Sequence, residues 1–369
     1  MNIEQKFLDS ANRPTGFDYM RLILACSVIG MHSVRTSYGI DIDSALWDTP
    51  LRPYLKLILP MFFALSGFLV AGSLERTRTL GIFLGLRFLR IYPALIVEVL
   101  LSAYFLGAIY TTLPLADYFK DPGFFQYLTN VTGIIHYFLP GVFKYNPDAG
   151  NVNLQLWTVP YELKCYILLG FLALIGIKKW RALAPLASFA LIFFMMITGY
   201  IETGSPWGNI GNTNVPGLVL LSCFLFGVSI YLYRDRLPYS QPIFIFCLLS
   251  SVGLYFIRGL GDEITPPMVA YITVYLGLLS PRKIHLLQGA DYSYGMFLYG
   301  YPIQQAFSAL GNWTHHWYLN IAVCLPLAAL FAALSWHLIE KPVLALKPGL
   351  MNLEKAYLSW KTKRSGQIS

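Results

Sequence analysis

Residues 13–36 read RPTGFDYMRLILACSVIGMHSVRT. The run is apolar and long enough to cross a bilayer, for which about 20 residues suffice in a helix. Yet it carries Asp18 and Arg21 near its start and His32 near its end. Arg21 and His32 are eleven residues apart, and a rise of ~1.5 Å per residue turns that spacing into about 16 Å of depth. At about 100° per residue, eleven steps also return to nearly the same face. One helix face therefore presents a cation at one depth and an imidazole at another. Lipid does not tolerate such a face, so it is expected to turn toward protein or a wet interior.

The remainder of the chain has the same character. Of 369 residues, 56% are hydrophobic and 12% charged, against about 25% charged in soluble domains. This composition predicts an all-α polytopic membrane protein, a bundle of about ten transmembrane helices. Spans are expected near 17–36, 54–72, 91–111, 155–177, 183–201, 215–233, 242–258, 264–280, 290–310 and 319–339. Basic residues test the alternation. Lys6, Arg13 and Arg21, Arg76 to Arg90, Lys178 to Arg181, Arg234 and Arg236, Arg282 and Lys283, and the run from Lys341 to Arg364 fall on one side. Arg35, Arg52, Lys56, Lys120, Lys144 and Arg258 fall on the other. That bias places both termini in the cytoplasm. It also accounts for the net charge of +8 without a nucleic-acid partner.

The five cysteines are scattered through apolar runs with no C-x-x-C pair and read as small hydrophobes, with no metal site implied. No cleavable signal peptide is expected, because the first twelve residues are polar. Residues 112–154 hold an apolar piece, FFQYLTNVTGIIHYFLPGVF, between polar flanks. If that piece crossed the membrane, every later basic cluster would change sides, so it is expected to be re-entrant or to lie on the outer surface. The organisation expected is one transmembrane domain over 1–345 and a cytoplasmic tail over 346–369. Residues 350–360 of the tail are read as a short amphipathic helix on the inner leaflet. No fused extracytoplasmic domain is expected.

Ionisable groups at membrane depth are functional candidates, since each costs roughly 2.5–3.5 kcal/mol on insertion scales. Arg21, Lys56, Arg258 and Glu340 lie near span ends, where snorkelling suffices. His32, Glu98, Glu162 and Lys164 lie deeper. His32 is either a helix-packing histidine or a general base, and its register with Arg21 favours the base. Glu162, read at the outer end of the fourth span, matches His32 in depth and is expected to hydrogen-bond it. Glu162 and Lys164, two apart, do not face each other on a helix. Arg87 and Arg90 share a face, either as topology anchors or as a fork for phosphates. Ser66-Gly67 is either a close helix contact or the wall of a narrow tunnel.

In order along the chain, FDYMRLILACSVIGMH, MFFALSGFLV with RFLRIYPAL, LWTVPYELKCY, and YSYGMFLY with LSWHLIEKP resemble the acyltransferase-3 family of bacterial inner-membrane proteins. The family's arginine–ten residues–histidine motif falls on Arg21 and His32, its arginine pair on Arg87 and Arg90, and its Leu-Trp…Glu motif on Trp157 and Glu162. The resemblance implies transfer of an acyl group, most often acetyl from cytosolic acetyl-CoA, to a hydroxyl of an extracytoplasmic or lipid-linked carbohydrate. It implies His32 and Glu162 as catalytic residues. Arg21, Ser66, Arg87 and Arg90 would meet the donor and Trp157 the acceptor. The donor phosphates, the thioester and His32 are expected in one continuous cavity. This chain departs from many members at Gly300, where they carry a histidine, and in the absence of a fused hydrolase-like domain. The rival reading is a transporter or flippase for a polar solute or lipid-linked sugar, with the buried charges as a relay. A third is a non-catalytic subunit of a polysaccharide-synthesis complex.

Overall fold

A computed structural model describes residues 1–10, 14–203, 215–257, 260–282, 284 and 289–365. Arg13, Arg258 and Lys283 of the charge pattern lie outside the described residues. Within them the chain is helical, with isolated β-bridges and no named strand. The main helices are α1 Gly16–Tyr38, α2 Arg52–Arg76, α3 Leu80–Leu101, α4 Val159–Leu174, α5 Leu183–Thr203, α6 Gly217–Leu232, α7 Gln241–Phe256, α8 Pro266–Gly277, α9 Ser293–Ser308, α10 Trp317–Ser335 and α11 Lys347–Ser365.

Contacts between helix ends fix their polarity. Near the start of α1, Arg21 meets Asp291, which immediately precedes α9 and also meets Arg90 of α3. Arg87 of α3 donates to Ser73 near the end of α2. Glu340, beyond the end of α10, accepts from Arg90. Leu279, beyond α8, accepts from the Gly16 backbone. Beyond α4, Lys178 donates to the Thr77 carbonyl, and beyond α6, Arg234 meets Glu75. Successive helices thus run alternately between an arginine-rich end and an opposite end.

Among the described residues, three helices are both long and apolar enough to cross a membrane: Arg52–Arg76, Leu80–Tyr110 and Trp317–Trp360. The first is central, with 78% of its apolar window buried, whereas the last is peripheral at 28%. Ile23, Phe105, Ile109, Phe171, Phe246 and Leu338 point outward and are exposed, as side chains facing lipid require.

Helix α3 continues through a π segment, Ser102–Leu106, to Tyr110. Residues 111–153 then form only short helices and loops at the opposite end, none long enough to cross. The tail of this segment descends into the bundle. Asn153 is fully buried and donates to Glu98 of α3 and to the Leu298 carbonyl of α9. A short 3₁₀ turn, Leu154–Thr158, leads into α4, which therefore begins inside the bundle. With 16 residues, α4 is about 24 Å long at ~1.5 Å per residue. Helix α11 is docked along one face, where Leu350 packs against Gly85 of α3 and Glu354 accepts from the backbone N–H groups of Arg78 and Thr79, while Leu353, Tyr357 and Trp360 stay exposed.

The tightest crossing joins α2 to α6. A Cβ on Gly67 would lie 1.9 Å from the Phe224 carbonyl oxygen, and one on Gly227 would lie 2.1 Å from that of Ala64. Gly67 therefore serves close helix approach, while its neighbour Ser66 faces a cavity. Gly67→Ala should destabilise the protein by about 1–3 kcal/mol through overpacking, seen as a lower unfolding temperature in detergent. Gly81→Ala, with nothing within 4 Å of its Cβ position, should leave that temperature unchanged or slightly raised.

Candidate active site

The arginine-rich end is organised by one carboxylate. Asp291 Oδ2 accepts from Arg21 Nη1 at 2.9 Å and from Arg90 Nη2 at 2.6 Å, while Ser293 donates to Oδ1. Arg90 Nη1 also reaches Glu340 Oε2 at 3.0 Å. Two of the three arginines are thus neutralised within the fold. Arg87 differs. It donates to Ser73 Oγ at 3.0 Å and sits 6.0 Å from the Tyr166 ring centroid. Its buried Nε has no hydrogen-bond partner among the described residues.

A cavity of about 150 Å³ adjoins these groups. Arg21, Arg87, Arg90, Ser66, Glu162 and Tyr166 supply its polar lining, and Tyr166 donates to Glu162. Its apolar lining includes Leu59, Phe62 and Phe297, the residues farthest from the arginine-rich end on α2 and α9. Pockets that enclose drug-sized ligands run to about 300–1,000 Å³. This one fits a slender arm, not a whole nucleotide.

The shared face expected for Arg21 and His32 is present, and both turn to α9. Arg21 meets Asp291 just before that helix, and the His32 ring meets Tyr301 within it, edge-on at 5.0 Å between centroids. His32 is only 7% exposed, so it does not face lipid. It is not in the cavity lining. Tyr301 lies four residues beyond Phe297 on α9, about 6 Å along the axis. On α9 the lining therefore stops at Phe297, roughly one turn short of Tyr301 and His32, and the single continuous cavity expected to include His32 is not what this lining forms.

The pairing of Glu162 with His32 is also absent. Glu162 was expected at outer depth because the fourth span was read as a full-length helix. Since α4 starts inside the bundle, Glu162 instead falls among the arginines. Trp157 packs edge-on against Tyr161 and does not line the cavity. Lys164 lies over the Tyr161 ring at 4.7 Å.

Beside His32 lies a polar network that sequence reasoning did not connect to it, through Tyr301 and Asp148. Tyr301 donates to Asp148 Oδ2, and Asp148 Oδ1 meets Arg35 at 3.2 Å and Asn151 Nδ2 at 3.0 Å. Gln305 donates to the Asp148 and Asn151 carbonyls. Arg35 also meets Asp43 at 3.6 Å. Burial raises the Asp43 carboxyl to about 6, opposed by Arg35 and aided by Asp148. Glu98 is fully buried, accepting from Ser102 and Asn153. Gly300 packs against Ile29, where a Cβ would come within 2.9 Å of Cγ1. Among the described residues no His, Cys, Asp and Glu cluster suited to a metal ion occurs.

A family model described as an acyltransferase domain, of the acyltransferase-3 type, matches residues 15–340. The chain belongs to this family. Membership makes it an acyltransferase, and the four motif groups read from the sequence lie in the matched region, the last running two residues beyond it. It is 27% identical over 365 residues to Nodulation protein 10 of Rhizobium leguminosarum bv. viciae, covering 93% of this chain and 96% of that one. It is 26% identical over 361 residues to an O-acetyl transferase of Shigella phage Sf6, covering 92% and 98%. No solved structure matches.

Asp291→Ala would leave Arg21 without its carboxylate and Arg90 with Glu340 alone, each guanidinium being about a quarter exposed. It should lower stability by roughly 1–3 kcal/mol, the range for an unpaired, partly buried charge partner. The exposed Arg181–Asp235 pair is the control. Asp235→Ala should cost under about 1 kcal/mol, and thermal unfolding in detergent ranks the two.

Proposed function

We propose that this acyltransferase moves an acyl group, acetyl in the first instance, from cytosolic acyl-CoA to a hydroxyl of an extracytoplasmic or lipid-linked carbohydrate. The observation that carries this reading is the cavity. It holds a basic mouth and a narrow interior at one end of the bundle, and a histidine lies one turn beyond its inner end. An O-acetyl transferase among the relatives supports acetyl as the group moved. The setting proposed is the bacterial inner membrane, crossed by about ten helices with both termini cytoplasmic. The alternation of helix ends and the charge bias support that topology. The acyltransferase domain then spans 1–345, with 346–369 as a cytoplasmic tail.

In this reading the arginine-rich end faces the cytoplasm. Arg87, lacking a carboxylate partner, takes a donor phosphate, and Arg21 and Arg90 supply the surrounding field. The pantetheine arm enters past Ser66, Glu162 and Tyr166. Glu162 works there, on the donor side, as a carboxylate oriented by the Tyr166 hydroxyl. The thioester reaches His32 when Phe62 and Phe297 part. His32 then takes the proton of the acceptor hydroxyl, whose oxygen attacks the thioester carbonyl. The carbon–sulfur bond breaks, and the leaving thiolate takes the proton back from the imidazolium. Asp148, Asn151 and Arg35 belong to the opposite end, from which the acceptor approaches, and Trp157 is proposed on the same side. No metal takes part.

The transporter reading uses the same buried charges as a relay. Binding of acetyl-CoA to the purified protein separates the two: an enzyme binds and slowly hydrolyses it, and a sugar transporter does not. His32→Ala should lower transfer at least about 10²-fold, the lower bound of a general base's contribution, with acetyl-CoA binding intact. Arg87→Ala should instead weaken acetyl-CoA binding by about tenfold, the loss of one charge-assisted hydrogen bond. Titration calorimetry with the turnover assay reads both. Full transfer by the His32 variant would remove it from the chemistry.

A further inference from the structure

The C-terminal helix α11 carries a cation that neither the motifs nor the cavity lining includes. Lys347, Leu350 and Glu354 are spaced at i, i+3 and i+7, so they share one face of that helix. The contacts of this face are specific. Glu354 Oε1 accepts from the Arg78 and Thr79 N–H groups at 2.9 and 2.6 Å and from the Thr79 hydroxyl at 2.8 Å, capping the start of α3. Leu350 packs on Gly85, farther along α3.

These two contacts set α11 antiparallel to α3. Lys347, one turn before Leu350, therefore arrives beside the α3 turn that holds Arg87 and Arg90. The charged neighbours of its ammonium are Arg87, Arg90, Arg21 and Asp291. Lys347 is exposed, so water offsets part of its repulsion from the arginines and its ammonium is open to an anion arriving from outside. Asp291 and Glu340 already compensate Arg21 and Arg90. Glu162, in the same cavity lining, adds a third carboxylate beside Arg87, so these groups together keep one excess positive charge, at the mouth where Arg87 and Lys347 stand.

We propose that Lys347 is a phosphate-binding residue of the donor site, gripping the phosphorylated part of acyl-CoA outside the cavity, and that Glu354 positions it by capping α3. The tail is then part of the donor site and not an inner-leaflet anchor. This inference rests on the acyl-CoA reading above. Its chemistry is a polyanion bound outside a cavity too small for a nucleotide, with the apolar arm inside.

The test compares two donors on full-length protein in detergent, acetyl-CoA and acetyl-pantetheine, the second lacking the phosphates. Lys347→Ala should raise the KM for acetyl-CoA about tenfold, the loss of one charge-assisted contact. It should leave kcat and the KM for acetyl-pantetheine unchanged. Lys347→Arg should restore most of the loss. Glu354→Ala, which undocks the helix without touching the donor, should reproduce the Lys347→Ala pattern. An unchanged acetyl-CoA KM in Lys347→Ala, or an equal loss with both donors, overturns the proposal. Failure of the unaltered protein to bind or turn over acetyl-CoA would instead refute the donor reading itself.

Discussion

Asp291 holds two guanidinium groups, and much of the molecule depends on it. Burying Arg21 and Arg90 without a counter-charge at the edge of a bilayer would cost several kcal/mol. One carboxylate removes that cost for both, and Glu340 adds a second contact to Arg90. Because the four residues come from α1, α3, the start of α9 and the end of α10, the knot also fixes which helices neighbour one another. Once α1 and α9 are tied at this end, the register that places Arg21 over Asp291 carries His32 to Tyr301 eleven and ten residues on.

The knot also divides the labour among the basic residues. Arginines that look equivalent in sequence differ in what balances them. Arg21 and Arg90 hold the bundle together and shape the field, while Arg87 presents charge to the cavity. At the opposite end a second network, through Asp148, Arg35, Tyr301 and Gln305, ties the descending 111–153 segment to α1 and α9. His32 lies where that network meets the bundle core. Leu59, Phe62 and Phe297 are the lining residues farthest from the arginines, and Phe297 lies one turn before Tyr301 on α9. In the proposed reaction such an apolar layer would keep water from the thioester until an acceptor is present.

Much of this was legible in the residues. The eleven-residue spacing of Arg21 and His32 predicted a common face, and both side chains do turn to one helix. The basic clusters predicted which helix ends meet. The alternation of basic clusters after 112–154 signalled a segment that does not cross. The depth of Glu162 was not legible, because nothing in LWTVPYELKCY marks a helix that begins inside the bundle after a buried turn. The partners of Arg21 and Arg90 were not legible either, since Asp291 lies some 200 residues or more from both. That the tail helix docks on α3 through Glu354 was not legible, because a glutamate capping a distant helix start leaves no local pattern.

The central claim is that a donor entering at the arginine-rich end meets His32 beyond the Phe62–Phe297 layer. Its most direct test is an experimental structure of the protein bound to a non-hydrolysable acetyl-CoA analogue. The expected density places the phosphates against Arg87 and the acyl group past displaced Phe62 and Phe297, within hydrogen-bonding reach of the His32 region. An acyl group that stops beside Glu162 with both phenylalanines unmoved, or phosphates bound away from Arg87, would contradict it.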